Sequence, residues 1–75
     1  MKKEDREWAR QVYERYAPDL YRLAARRLRD PDLARDLTQE VFVVLVDRAG
    51  ELRDQPKISG WLVKTLEYKL LHEFD

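Results

Sequence analysis

Residues 36–46 read DLTQEVFVVLV, and how they are read decides the fold. Asp36, Gln39 and Glu40 form a short polar pattern that runs straight into six apolar residues, Val41 to Val46. At the helical repeat, Leu33, Leu37, Val41, Val44 and Leu45 fall within about 120° of one another and predict a core face. Asp36, Glu40, Val43 and Asp47 fall on a separate stripe with Gln39 at its edge, and Phe42 and Val46 fall on a third side. The segment is therefore apolar well beyond one face. Two readings stay open for the excess. Either this is a central helix with neighbours on several sides, or apolar surface stays exposed beside the acidic stripe as a docking site with a polar rim. In the second case Asp36 and Glu40 meet arginines of a partner and Gln39 supplies amide hydrogen bonds, which orient and select.

Working outward, Asp30-Pro31-Asp32 predicts the start of this helix. Asp30 can cap free amides, Pro31 suits the first helical position, and Asp32 favours the positive end of the dipole. The helix is expected to reach Ala49, with Gly50 ending it in a left-handed turn. Upstream, Trp8, Val12 and Tyr16 recur every four residues with Ala9 and Tyr13 beside them, so a helix is expected over Glu4–Tyr16. Pro18 suits the first turn of another helix reaching Leu28, with one kinked helix as the alternative. On that stretch Leu20, Ala24 and Leu28 face inward with Tyr21 beside them, while Arg22, Arg26 and Arg29 gather outside. Downstream, ELRDQPKI reads as a polar loop, with Ser59 capping a last helix from Gly60 onward. On that helix Leu62, Val63, Leu66, Leu70 and Phe74 share one side, and Trp61, Lys64, Thr65, Tyr68 and His72 the other. Helix formers dominate and only two glycines occur, so the fold class is all-α, a small bundle of three to four helices.

Composition narrows the function. Seventy-five residues are expected to form a single domain with a modest core. Without cysteine there is neither a disulfide nor thiol chemistry. The longest apolar run is six residues, against the ~20 that a membrane span needs. The charged N-terminus MKKEDREW does not resemble a signal peptide. A cytoplasmic setting is the expectation. Net charge is zero but uneven: +4 over residues 1–29, −4 over 30–55 and neutral over 56–75. A neutral total argues against holding nucleic acid by charge alone, and the asymmetry suggests two surfaces with different partners. One histidine, no Gly-rich phosphate loop and no paired acid and base argue against an enzyme. His72 with Glu73 and Asp75 is a terminal cluster without metal-ligand spacing, and no cofactor is called for.

Three blocks in order, YERYAPDLYRLAARRLRDP, LARDLTQEVFVVL and GWLVKTL, resemble region 2 of sigma-70-type RNA polymerase sigma factors, most of all the extracytoplasmic-function group. The resemblance spans roughly Tyr13 to Leu66. It implies that the helix carrying DLTQEVF docks on the clamp-helix coiled coil of the polymerase β′ subunit. Asp36, Gln39 and Glu40 would be the polar contacts, and Leu33 and Val43 the apolar ones. It further implies that a loop and the last helix recognise and melt the promoter −10 element. Lys57, Ile58 and Ser59 would hold a flipped base in the loop, and Trp61, Lys64 and Tyr68 would contact neighbouring bases and backbone. The residues themselves suit single-stranded DNA, since bases stack on aromatic rings and Lys neutralises phosphate. A Trp in the first turn of a helix, as Trp61 is, more often closes a small core.

The sequence departs from the family pattern after Trp61-Leu62. Glu67 and Tyr68 stand where a basic residue and Asn are common, and the chain closes with LLHEFD. The expectation is a region 2-like domain over residues 1–75 without the second, helix-turn-helix domain. The alternative function is a sigma-like interaction module that binds polymerase, or an anti-sigma factor, without reading DNA.

Overall fold

The computed structural model of the chain describes residues 2–72. Phe74, expected on the core face of the last helix, lies outside the described residues, as do Glu73 and Asp75. Four helices follow in order: α1 Lys3–Leu28, α2 Pro31–Asp47, α3 Ala49–Leu52 and α4 Ile58–His72. Among the described residues there is no strand, so the all-α expectation holds.

α1 is one helix through Pro18, the continuous form of the two arrangements that the sequence allowed. Proline in a helix interior removes one amide donor and crowds the carbonyl four residues earlier. That residue is Glu14, which is exposed, so water can serve its carbonyl. The helix stops at Arg29, which adopts a left-handed conformation with φ 54° and donates its N–H to the Ala25 carbonyl at 2.9 Å. Arg29 thus leaves the outer arginine row, where Arg22 and Arg26 remain exposed and Arg22 pairs with Asp19. The next residue starts α2 as expected. The Asp30 side chain accepts from the Leu33 amide at 3.2 Å, and Pro31 fills the first position.

α1 and α2 form the principal packed pair. Ala9, Val12, Leu20 and Ala24 of α1 are buried with Ala34, Leu37, Thr38, Val41, Phe42 and Leu45 of α2. The buried face of α2 is turned about 50° from the expected one, toward Phe42. Leu33 and Val44, expected in the core, are only half-buried, while Ala34 and Thr38 are buried. Both are small residues, one turn apart on α2. Thr38 pays no polar penalty, because its hydroxyl donates to the Ala34 carbonyl at 2.8 Å. Phe42 continues the same row and meets Tyr13 edge to face, ring centroids 4.8 Å apart.

Gly50 does not end α2 in a left-handed turn. No glycine among the described residues has positive φ. The chain turns instead at Arg48, whose φ −112° and ψ 19° interrupt the helix. α3 then tucks Ala49 and Leu52 into the core. α4 also begins two residues earlier than expected. The Trp61 N–H reaches back to the Lys57 carbonyl at 3.3 Å, so Ser59 lies within the first turn and is not its cap. Leu62 and Leu66 are fully buried, and Val63 and Leu70 pack against the core at its edge.

Candidate functional site

Two surfaces carry the residues singled out from the sequence. The first is the outer side of α2. Rotation of the buried face toward Phe42 leaves the opposite arc to solvent: Asp36, Gln39, Val43 and Asp47 are exposed. Val43 is 59% exposed, an aliphatic side chain held in water by a helix whose other valine and leucine positions are at least half-buried. Glu40 is half-buried and engaged within the chain, and Leu33 is half-buried. The five positions therefore do not stand equally open. Beside them, a shallow apolar depression runs between Tyr13, Gln39, Phe42, Val43 and Val46. A second depression lies along the α1–α2 seam around Tyr13, Pro18, Tyr21, Arg35 and Gln39. Gln39 and Tyr13 border both, so an amide and a phenol stand where the two depressions meet. Sequence reading misses Tyr13 as part of this surface, because its spacing on α1 matches the core face; the residue is 43% exposed.

The second surface is the outer side of α4. Trp61, Lys64 and Tyr68 fall within about 60° of arc. They border one groove with Val44 and Arg48 from the end of α2. Trp61 is half-buried and packs against the core, as its first-turn position suggested, while one side lines the groove. Tyr68 is 63% exposed, and its ring lies 4.2 Å from that of His72 at an interplanar angle of 35°. Lys57 is exposed in the turn ahead of α4. Ile58 and Ser59, expected in the loop beside it, are helical, and Ile58 packs against the core. The structure thus gathers Trp61, Lys64 and Tyr68 in one place and sets Ile58 and Ser59 at the helix start instead.

Two cations on this groove escaped sequence reading. Arg48 sits where α2 breaks, at a position no periodicity singles out, and Lys69 lies on the groove edge beside Tyr68. Arg48 is tied loosely to Glu51, 3.2 Å away, on exposed surface. Spacing alone could have recovered Lys69, because it follows Trp61 and Thr65 at four-residue intervals.

Among the described residues, no helix is long and apolar enough to cross a membrane. No curated protein and no solved structure matches the chain. The profile of Sigma-70 region 2, however, matches residues 12–74, which takes in all of α2, α3 and α4 and most of α1. The chain belongs to the Sigma-70 region 2 family, a transcription-factor domain with a role in RNA polymerase binding and promoter recognition during transcription initiation.

Proposed function

We propose that the outer side of α2 docks on the clamp helices of the polymerase β′ subunit, and that the turn at Lys57 together with α4 reads and helps melt the promoter −10 element. The observation that carries the first half is the division of α2. Leu37, Val41 and Leu45 hold the core, while Asp36, Gln39 and Val43 stand in water on the other side. An exposed valine flanked by an acid and an amide has the make-up of a small interface centre with a polar rim. Asp36 is the group best placed to meet a partner arginine, and Gln39 adds two donors and an acceptor. The second half draws support from the groove on α4, where an indole, a phenol and cationic side chains converge. Rings offer stacking to any base and the cations offer phosphate neutralisation, with bond chemistry left to the polymerase.

The test of docking uses Asp36→Lys combined with Gln39→Ala. Both residues are exposed, so helicity by circular dichroism should be unchanged while affinity for the clamp coiled coil falls by about 10- to 100-fold. Glu40 is a poorer choice, because a half-buried and engaged carboxylate confounds docking with folding. Retained binding in the double variant would remove this face from the interface. The DNA half is tested by fluorescence anisotropy with single-stranded −10-like oligonucleotides, where sequence preference and a clear salt slope are expected. One specific observation favours the protein-only alternative: exposed Glu67 stands next to the reading face in a chain of zero net charge. Clamp binding without any single-strand binding at low salt would select that alternative, with polymerase or an anti-sigma protein as the sole partner.

A further inference from the structure

The first turns of α1 lie ahead of residue 12, where the match to the family begins, yet they are not idle. Asp5 reaches across the molecule to Arg53, whose Nη1 donates to Asp5 Oδ1 at 2.8 Å over a sequence separation of 48. The pairs Arg10–Glu7, Arg22–Asp19, Arg35–Asp32 and Arg48–Glu51 join residues three apart on open helix surface. Asp5 differs from these acids in setting as well as reach, for its side chain is only 14% exposed and that of Arg53 40%. The backbone of α3 closes the other side of the carboxylate: a Cβ on Gly50 would sit 3.7 Å from Asp5 Oδ2. Arg53 is the first residue after α3, and the exposed stretch that follows it, residues 54–57, leads directly into α4.

From this arrangement we propose that Asp5 is a positioning residue for promoter reading: it clasps Arg53 and so fixes the upstream stem of the turn that presents Lys57 and the start of α4. The inference rests on the DNA half of the proposed function. The turn is held downstream by Ile58 and Leu62 in the core and upstream by Leu52, but Leu52 fixes only where the chain leaves α3. The clasp adds a second, directional hold one residue further on, where the Arg53 amide also bonds the Ala49 carbonyl at 3.0 Å. A turn held at both ends meets a flipped base without first being ordered, and that ordering would otherwise weaken binding.

The test compares the unchanged chain with Asp5→Asn and Arg53→Gln. Both variants should bind a single-stranded −10-like oligonucleotide about three- to tenfold more weakly and with blunted sequence preference, while clamp-helix binding holds. A modest fall in thermal midpoint is expected, since Asp5 is largely buried while Arg53 stays partly open to water. Arg53→Gln is the stricter variant, because Glu4 and Glu7 border the same depression as Arg53 and can catch it once Asp5 is neutral. Glu7 is the weaker competitor: its hydrogen bond and charge contact with Arg10 hold its carboxyl below the usual carboxylate range. The swap Asp5→Arg with Arg53→Asp should restore DNA binding even though an arginine in the first turn opposes the α1 dipole and lowers the thermal midpoint. DNA affinity and preference unchanged in both single variants would overturn the clasp. Parallel loss of clamp binding would also overturn it, as the mark of a folding defect. Failure of the unchanged chain to bind any single strand is a separate result, which removes the DNA reading beneath the inference.

Discussion

α2 and α4 carry the two proposed recognition faces, yet they hold to the rest of the molecule very differently. α2 buries six residues, from Ala34 to Leu45, and is entered through a tight, capped turn in which Arg29 and Asp30 are the only residues between helices. α4 buries two, Leu62 and Leu66, and is entered through the longer turn after α3. A docking face on α2 is therefore backed by the core itself and comes pre-organised. A reading face on α4 rests on one leucine ridge and on whatever steadies the preceding turn. Rigid elements hold a contact surface more accurately than loosely held ones do, and local opening is drawn from the parts with the fewest buried contacts. The difference suits the two proposed tasks, since clamp helices would be a fixed target and a melting strand would not.

The harshest way to test this contrast is to attack each helix from inside and from outside. Leu45→Ala should cost about 2–5 kcal/mol, because Leu45 is fully buried and the cavity would lie at the centre of the bundle. A domain of this size has about 3–5 kcal/mol in hand, so the variant should be largely unfolded by circular dichroism and lose both partners together. A folded Leu45→Ala chain would mean that α2 is less central than its burial indicates. On α4 the two aromatic residues should separate cleanly. Tyr68→Ala removes an exposed ring and should weaken single-strand binding by about 1–3 kcal/mol with no change in melting temperature. Trp61→Ala should do both, costing on the order of 2 kcal/mol of stability, near half the loss for a fully buried tryptophan. Equal stability loss in the two variants would break the distinction between ridge and face.

The same contrast explains what was legible in the sequence. Four-residue recurrence of large apolar residues located every long helix, and Asp30-Pro31 marked the start of α2 because capping is a local matter. The orientation of α2 was harder to read. Counting only large aliphatics places Leu33 and Val44 inside, whereas Ala34 and Thr38 are the residues buried there. Small residues give no hydropathy signal for close packing, so the buried face was drawn about 50° off. Gly50 misled for a related reason: a glycine after a helix suggests a left-handed stop, but burial of Ala49 and Leu52 drew the segment into a further helical turn. On the candidate site, one-dimensional spacing grouped Trp61, Lys64 and Tyr68 correctly. It could not supply Arg48, which comes to the groove from the break between α2 and α3. Nor could it find the Asp5–Arg53 clasp, where the partners are far apart in the chain.

The entry to α2 offers a gentler perturbation. Asp30→Ala removes the side-chain acceptor for the Leu33 amide and should cost about 1 kcal/mol, read as a lower urea midpoint at unchanged slope. If α2 is held chiefly by its buried face, clamp binding by the folded fraction should survive this change. A loss of docking at full helicity would show instead that the cap sets the register of Asp36 and Gln39, both of which lie within the next three turns.

The smallest expected effect has the opposite sign and concerns the residue just before that cap. Arg29 holds a left-handed conformation that a residue with a Cβ adopts at a cost of roughly 1–2 kcal/mol. Arg29→Gly removes this strain, but it also frees the unfolded chain, which offsets about 0.5–1 kcal/mol of the gain. The net should be a stabilisation of about 0.5 kcal/mol, a rise of roughly 2–4 °C in melting temperature for a domain of this length. The variant also decides whether Arg29 itself takes part in binding DNA. Arg29 is exposed and lies beyond the helix, out of line with Arg22 and Arg26. The salt slope of single-strand binding should therefore stay as it was, because a solvated arginine releases no counterion. A slope shallower by about 0.7 would assign Arg29 to a phosphate. The reading surface would then extend from α4 onto the α1–α2 joint, and the division of labour between α2 and α4 would have to be redrawn around that turn.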